Sequence, residues 1–260
     1  MIGIFDSGVG GLTVANAVEQ LLPDYPLLYL GDTARTPYGT KSAETIIKFS
    51  VENTRFLIEN GSKIIVIACN SASSVATERL RQEFNIPIIE VTTPAVEEAV
   101  SKSRTGRIGI IGTRATIRSG IYEQKIRERF QAYKVFSKAC PLLVSLVEEG
   151  WIGKRETKMI LRRYLHDLKN QQIDTLVLGC THYQLLKHLI QPRIGARVTL
   201  IDPSVATADY LKKYLEKNTA FQPAINHDPG RNRYFVTALT DTTVPIATKI
   251  FNRDIKMLSV

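Results

Sequence analysis

Two cysteines stand in matching contexts. Ile64-Ile65-Val66-Ile67-Ala68-Cys69-Asn70-Ser71 runs four β-branched residues into a thiol and then into polar residues. Thr175-Leu176-Val177-Leu178-Gly179-Cys180-Thr181-His182-Tyr183 repeats the arrangement. Each reads as a strand buried on both faces, ending in a thiol at the mouth of a strand-to-helix turn. A thiol of ordinary pKa about 8.5 is a workable proton-transfer group, readily tuned by its neighbours. Placed on opposite walls of one cleft, two of them could serve a single carbon. One would remove a proton and the other would return one from the opposite side, as inversion of a stereocentre requires. A single cysteine at a strand end reads more simply as a small buried hydrophobe. The pairing is what favours chemistry. Cys140, between Lys138-Ala139 and Pro141-Leu142-Leu143, has no counterpart and reads as structural.

Thiols need partners. Asp6, followed by Ser7, closes the first predicted strand and could relay a proton to the nearer cysteine; the competing reading is a helix N-cap. His182, two residues past Cys180, could be an acid-base partner or a core or capping histidine. Glu148 and Glu149 end the apolar run Leu142 to Val147 just before Gly150, and read first as a solvated helix end. Cys69, Cys180 and His182 give three candidate ligands without the CxxC spacing of structural zinc, so no metal is expected. Gly8-Val9-Gly10-Gly11, with Asp32 downstream, invites a dinucleotide reading. However, Thr13 occupies the third small position, and the lysine of a P-loop is missing. The turn reads instead as a nest of backbone amides for a carboxylate. Asn70-Ser71 and Thr181, at predicted helix starts, read as similar anion sites.

The elements that position these groups alternate β-α-β-α. Strands are predicted at Met1 to Phe5, Pro26 to Leu30, around Cys69 and at Asn85 to Val91, where Thr92-Thr93-Pro94 ends the last. Helices are predicted over Leu12 to Leu22 and Ser42 to Asn60, with Asn60-Gly61 as a C-cap signal. The pattern restarts at Arg107-Ile108-Gly109-Ile110-Ile111-Gly112-Thr113. Asp6 to Gly112, Cys69 to Cys180 and Pro94 to Pro203 are separated by nearly one spacing, about 110 residues, the mark of a duplicated lobe. The expected fold is α/β, with two pseudo-symmetric lobes of mostly parallel sheet flanked by helices and a site in the cleft between them. Residues 94–207 are assigned to the second lobe. Residues 1–93 form the first, to which 208–260 return after a Pro- and Asn-rich loop from Asn218 to Asn232.

The totals exclude several classes. The chain has 260 residues, 44% of them hydrophobic, and three cysteines. Its mean hydropathy is near zero. No apolar run approaches membrane-spanning length, and the opening residues already read as a strand rather than a leader. A cytoplasmic protein with free thiols and no membrane partner is therefore expected. The net charge of +9 is uneven. Between Lys102 and Lys138 lie ten lysines and arginines against Glu123 and Glu128. A solvated helix face explains this run best, and an anionic partner such as nucleic acid is the minority reading.

With Asp6-Ser7-Gly8, Pro37-Tyr38-Gly39, Ala68-Cys69-Asn70-Ser71-Ala72-Ser73 and Gly179-Cys180-Thr181-His182-Tyr183 in order, the chain resembles bacterial glutamate racemases over essentially its full length. The resemblance implies an enzyme that interconverts L- and D-glutamate without a cofactor, the D-isomer supplying peptidoglycan. It implies that Cys69 acts on D-glutamate with Asp6 assisting. Cys180 would act on L-glutamate, with His182 and Glu148 assisting. Implied substrate contacts are Asp6, Ser7, Pro37, Tyr38, Gly39, Asn70, Ser71, Thr181 and His182, with Thr113 and Thr116 beside them. Glutamate is the implied small-molecule partner, and a homodimer is compatible with the family. Ser71 replaces a frequent threonine and keeps its hydroxyl. Gln184 replaces a frequent proline after Tyr183. Alternatives are an aspartate or broader racemase of the same fold, and a nucleic-acid-linked binding role for the basic second lobe.

Overall fold

The apolar runs that lead to the two cysteines become the inner strands of two parallel sheets. These are seen in a computed structural model that describes residues 1–218, 220–221 and 232–260. Most of the loop expected from Asn218 to Asn232, residues 219 and 222–231, lies outside the described residues. The first half of the chain runs β1 (Ile2–Asp6), α1 (Leu12–Leu21), β2 (Leu27–Gly31), α2 (Ala43–Glu59), β3 (Ile64–Ile67), α3 (Asn70–Val75), α4 (Thr77–Glu83), β4 (Ile88–Glu90) and α5 (Thr92–Lys102). The second half continues with β5 (Arg107–Gly112), α6 (Arg114–Ser119), α7 (Ile121–Arg129), β6 (Lys134–Ala139), α8 (Leu142–Glu148), α9 (Arg155–Asn170), β7 (Thr175–Gly179), α10 (Lys187–Ile194), β8 (Thr199–Ile201) and α11 (Pro203–Lys217). The tail adds β9 (Arg233–Val236), α12 (Thr243–Phe251) and β10 (Met257–Ser259).

The two sheets share one plan. The first has the order β10-β9-β2-β1-β3-β4 and the second β6-β5-β7-β8. The four strands common to both follow the same sequence of crossovers, so the repeat spacing corresponds to a repeated topology. In each, the strand order reverses between the first strand of the unit and the third, which is where open α/β sheets place ligands. Cys69 follows β3 and Cys180 follows β7, so each thiol stands at the switch point of its own sheet. Register completes the placement: Phe5 pairs with Ile67 and Gly112 with Gly179. Asp6 therefore ends beside the Cys69 turn, and Thr113 beside the Cys180 turn.

Burial follows the period of two. On β1 and β3, Ile2, Ile4, Ile64 and Val66 pack on one face, while Phe5, Ile65 and Ile67 pack on the other. On the second sheet Ile108, Ile110 and Val177 face one core, and Ile111, Leu176 and Leu178 the other. This is why these strands read as unbroken apolar runs. Ser42 caps α2 through its side chain, and the chain leaves that helix through Gly61 at φ +94°, a conformation glycine adopts without steric cost.

One expected strand is shorter than predicted. The strand predicted over Asn85 to Val91 shrinks to Ile88–Glu90, because it pairs on one side only and α5 starts at Thr92. Glu90 ends the strand by accepting the Thr92 and Thr93 amides at 2.5 and 3.1 Å, capping α5. The lobe boundaries set at 93/94 and 207/208 fall inside α5 and α11, which are each continuous and pack on one another. A proline in the first turn of each, Pro94 and Pro203, suits a helix start. Among the described residues, no helix is long and apolar enough to cross a membrane.

Glu90 also ties the lobes together. Its carboxylate is buried and meets Lys125 Nζ of α7 at 3.1 Å. Burial alone would raise its pKa, but Lys125 and the threonine donors prevail and hold it below the ordinary carboxylate range. Lys125→Met is expected to cost about 1–3 kcal/mol at neutral pH. A lowered carboxylate pKa stabilises fully above the unfolded value of about 4.3, and that stability is lost as pH falls through the folded value. Urea melts should therefore show the deficit of the variant narrowing as pH drops below about 4. A deficit that does not change with pH would exclude the ion pair as its source.

Candidate active site

Residues at the carboxyl ends of the two sheets close on each other. Ser7, Pro37, Tyr38, Gly39, Cys69, Asn70, Ser71, Thr113, Val144, Cys180, Thr181 and His182 line one cavity between the lobes. The space they enclose is about 10 Å³, the volume that one water needs. Both cysteines thus face the same small space from different sheets. Of the other residues singled out from sequence, Asp6, Glu148 and Thr116 stand behind this wall and touch residues that form it. Cys140 is buried in the core of the second lobe, with its sulfur near Lys138 O.

The turn after β1 is spent on the chain's own carboxylate. Asp6 Oδ2 accepts from the amides of Gly8 at 3.1 Å and Gly11 at 2.9 Å. The amide nest read from the glycines is therefore filled from within: Asp6 holds the turn before α1, whose N-cap is Gly11 rather than Asp6. Its other oxygen, Oδ1, lies 3.4 Å from Thr181 Oγ1 of the opposite lobe. Burial raises the Asp6 pKa, while His182 and the two amides act against the rise. Burial, then the nearby Asp6 charge, pushes the Cys69 thiol up to about 12, with the Ala72 amide and the Ser7 hydroxyl opposing. The easily ionised thiol expected from sequence is thus, for Cys69, a protonated one.

The second wall is built differently. His182 is buried, with Nε2 2.5 Å from Glu148 Oε1 and Nδ1 3.8 Å from Cys180 Sγ. Burial disfavours its charge, yet the contacts with Cys180 and Glu148 raise its pKa well above the ordinary value. Glu148 is lowered by that same partner despite its own burial. Glu148, His182 and Cys180 therefore form a line of acid-base groups whose end lies on the cavity. This overturns the solvated-helix-end reading for Glu148, the last residue of α8, while Glu149 beside it is exposed. The run Thr181–Leu186 is a 3₁₀ turn rather than the expected α-helix start.

Other placements follow. Ser71 Oγ lies 2.9 Å from Thr113 Oγ1, which is 3.1 Å from Thr116 Oγ1, so a chain of hydroxyls crosses the lobes. Tyr38 donates to Asp32 and accepts from Asn53 Nδ2 at 3.0 Å. Asp32 also binds Arg35 at 2.7 Å and Thr237 at 3.1 Å. The carboxylate that helped invite a dinucleotide reading instead anchors the loop carrying Pro37, Tyr38 and Gly39. The basic run of the second lobe is partly neutralised: Arg127, Arg129 and Lys138 each pair with a carboxylate at 2.7 Å. All three cysteines are free thiols. Among the described residues, no group of three or more His, Cys, Asp or Glu side chains is disposed to hold a metal ion.

Sequence reasoning missed Val144, and it read Gly10 as part of an amide nest and Gly39 as a substrate contact without the close packing both glycines permit. A Cβ on Gly10 would lie 2.5 Å from Thr181 Oγ1 and 2.7 Å from His182 Nδ1, and one on Gly39 would lie 2.4 Å from Thr113 Cβ. Each glycine lets the first lobe approach a site residue of the second. For Gly10 the signal in the sequence was the density of glycines after β1. Gly10→Ala adds a methyl group where the backbone itself tolerates alanine, and it should displace His182. Activity is expected to fall about 100-fold, the usual cost of misplacing a catalytic group by about 1 Å, with the melting temperature within a few degrees. Full activity would mean that His182 does not need this contact.

The chain matches the model of the Asp/Glu/Hydantoin racemase family over residues 12–211. It is 51% identical over 212 residues to the glutamate racemase of Persephonella marina, covering 82% of this chain and 81% of that one. The crystal structure of glutamate racemase isoform RacE1 from Bacillus anthracis superposes with a TM-score of 0.93 at 36% identity, covering 100% of this chain and 97% of the other. The Francisella tularensis glutamate racemase, solved in complex with D-glutamate, gives 0.91 at 34% identity, covering 100% and 96%.

Proposed function

The chain belongs to the Asp/Glu/Hydantoin racemase family, and from that premise we propose that it interconverts L- and D-glutamate by proton transfer between Cys69 and Cys180. One observation carries the reading. Two thiols at equivalent points of two like sheets face one cavity, as proton exchange on opposite faces of a carbon demands. In the L-to-D direction Cys180 takes the α-proton; the C–H bond breaks and an S–H bond forms. The Cys69 thiol gives its own proton to the opposite face, so its S–H bond breaks as the new C–H bond forms. The reverse direction exchanges the two roles. Cys69 is the thiol at neutral pH, so it rests as the donor, with Asp6 beside it. His182, held by Glu148, can pass a proton to or from Cys180.

Substrate recognition would rest on neutral donors. Ser7, Asn70, Ser71, Thr113 and Thr181 supply hydroxyl and amide groups for the two carboxylates, and Tyr38 and Val144 supply apolar wall. Glutamate is far larger than the enclosed space, so it enters as the lobes part and is desolvated as they meet. Use of the D-isomer in peptidoglycan, a cytoplasmic setting and independence from any cofactor complete the proposal. Kinship to glutamate racemases favours glutamate over aspartate.

Cys69→Ala and Cys180→Ala are each expected to lower turnover at least 1,000-fold, within the usual reach of a lost acid or base, while the protein stays folded. In deuterated water, early D-glutamate made from L-glutamate should carry solvent deuterium at the α-carbon, while unreacted L-glutamate keeps its proton. Equal labelling of both pools would point to a single base. Added pyridoxal phosphate should change neither rate nor label.

A further inference from the structure

Asn70 follows Cys69 directly and lines the cavity. It is 2% exposed, and the two ends of its amide differ. Oδ1 accepts a hydrogen bond from the Tyr122 hydroxyl at 2.6 Å. Nδ2 is buried without a hydrogen-bond partner. Buried amide donors are seldom left unpaired, and each such group calls for an explanation. Here the cavity wall supplies one: a ligand can bring the missing acceptor.

Tyr122 belongs to the other lobe. It sits on α7, packed among Ala95, Ile108, Ile110 and Val177. Its ring lies so near Gly179 that a Cβ there would meet Cε2 at 3.3 Å. One side chain thus abuts the residue before Cys180 and bonds the residue after Cys69. Burial, then the charge of Glu90, holds the phenol well above its ordinary pKa, so the hydroxyl remains a donor.

We propose that Tyr122 is a positioning residue: by occupying Asn70 Oδ1 it leaves Nδ2 as the end of the amide offered to a carboxylate of the bound amino acid, and it does so only when the lobes are docked. This rests on reading the cavity as a glutamate site. Without the phenol the amide can rotate and present its oxygen, which repels a carboxylate. Oriented by Tyr122, the amide reads the charge of the ligand. The bond also makes approach of the second lobe a condition for anion binding in the first.

The test is a double-mutant cycle on Tyr122→Phe and Asn70→Ala, scored by calorimetric affinity for glutamate at its racemic equilibrium and by kcat and KM in both directions. Tyr122→Phe should weaken binding about tenfold, raising KM more than it lowers kcat, in a protein that still melts cooperatively. Asn70→Ala should weaken binding at least as much, and the double variant no more than Asn70→Ala alone, since Tyr122 acts through Asn70. Unchanged affinity in Tyr122→Phe, or a tenfold penalty that persists in full on the Asn70→Ala background, overturns the proposal. Asn70→Asp tests the same orientation with Tyr122 intact. It keeps the acceptor for the phenol and replaces the donor with an oxygen, so affinity should fall at least 100-fold, and wild-type affinity would again overturn the proposal. Wild-type protein that does not bind glutamate would instead defeat the reading of the cavity, and this proposal with it. Binding by the wild type that is indifferent to Tyr122 defeats the proposal alone.

Discussion

How closely the two sheets can approach end to end governs the rest of the cleft. Glycines make the approach possible: Gly10 leaves room for Thr181 and His182, and Gly39 leaves room for Thr113. Polar pairs then fix it. Ser71 meets Thr113, Asn70 meets Tyr122, Asp6 lies near Thr181, and Glu90 meets Lys125. These contacts are buried or nearly so, where unmade hydrogen bonds are costly. Their sum favours a single docked arrangement, with both thiols at one cavity.

Symmetry of fold does not extend to the electrostatics. The Cys69 wall holds a buried Asp6 and hydroxyl groups, and its thiol is pushed up to about 12. The Cys180 wall holds an imidazole raised, and a carboxylate lowered, by contact with one another. Environments that separate the proton affinities of paired groups commonly mark acid and base assignments. In the proposed mechanism the same strand-end position would supply a resting donor on one side and a relay on the other. The repeated topology gives the two walls a like geometry, and Asp6, Glu148 and His182 make their electrostatics differ.

Support for the cleft extends well behind it. Asp32 ties the Tyr38 loop to Arg35 and to Thr237 of the C-terminal segment, and β9 extends the first sheet beyond β2. α5 and α11 join the halves of the chain and pack on each other, so opening the cleft must displace or bend elements that belong to both lobes.

Much of this was legible in the residues alone. The β-branched runs at Ile64 to Ile67 and Thr175 to Leu178 had to become buried strands, since an unbroken apolar stretch between turn signals is stable only when covered on both faces. The repeat spacing and the order of strand ends set the two-lobed plan, and the matched thiols pointed to the cavity on which the proposed chemistry rests. What the sequence could not carry was anything decided by contact between segments far apart in the chain. Whether Glu148 met solvent or His182, whether the glycine turn held a ligand or Asp6, and whether Asp32 served a dinucleotide or Tyr38 each depended on what the opposite lobe or a distant loop brought near. The cross-lobe contacts of Gly10 and Tyr122 escaped notice for the same reason. Local periodicity records how an element is buried, whereas the partner of a polar group is chosen only when the sheets meet.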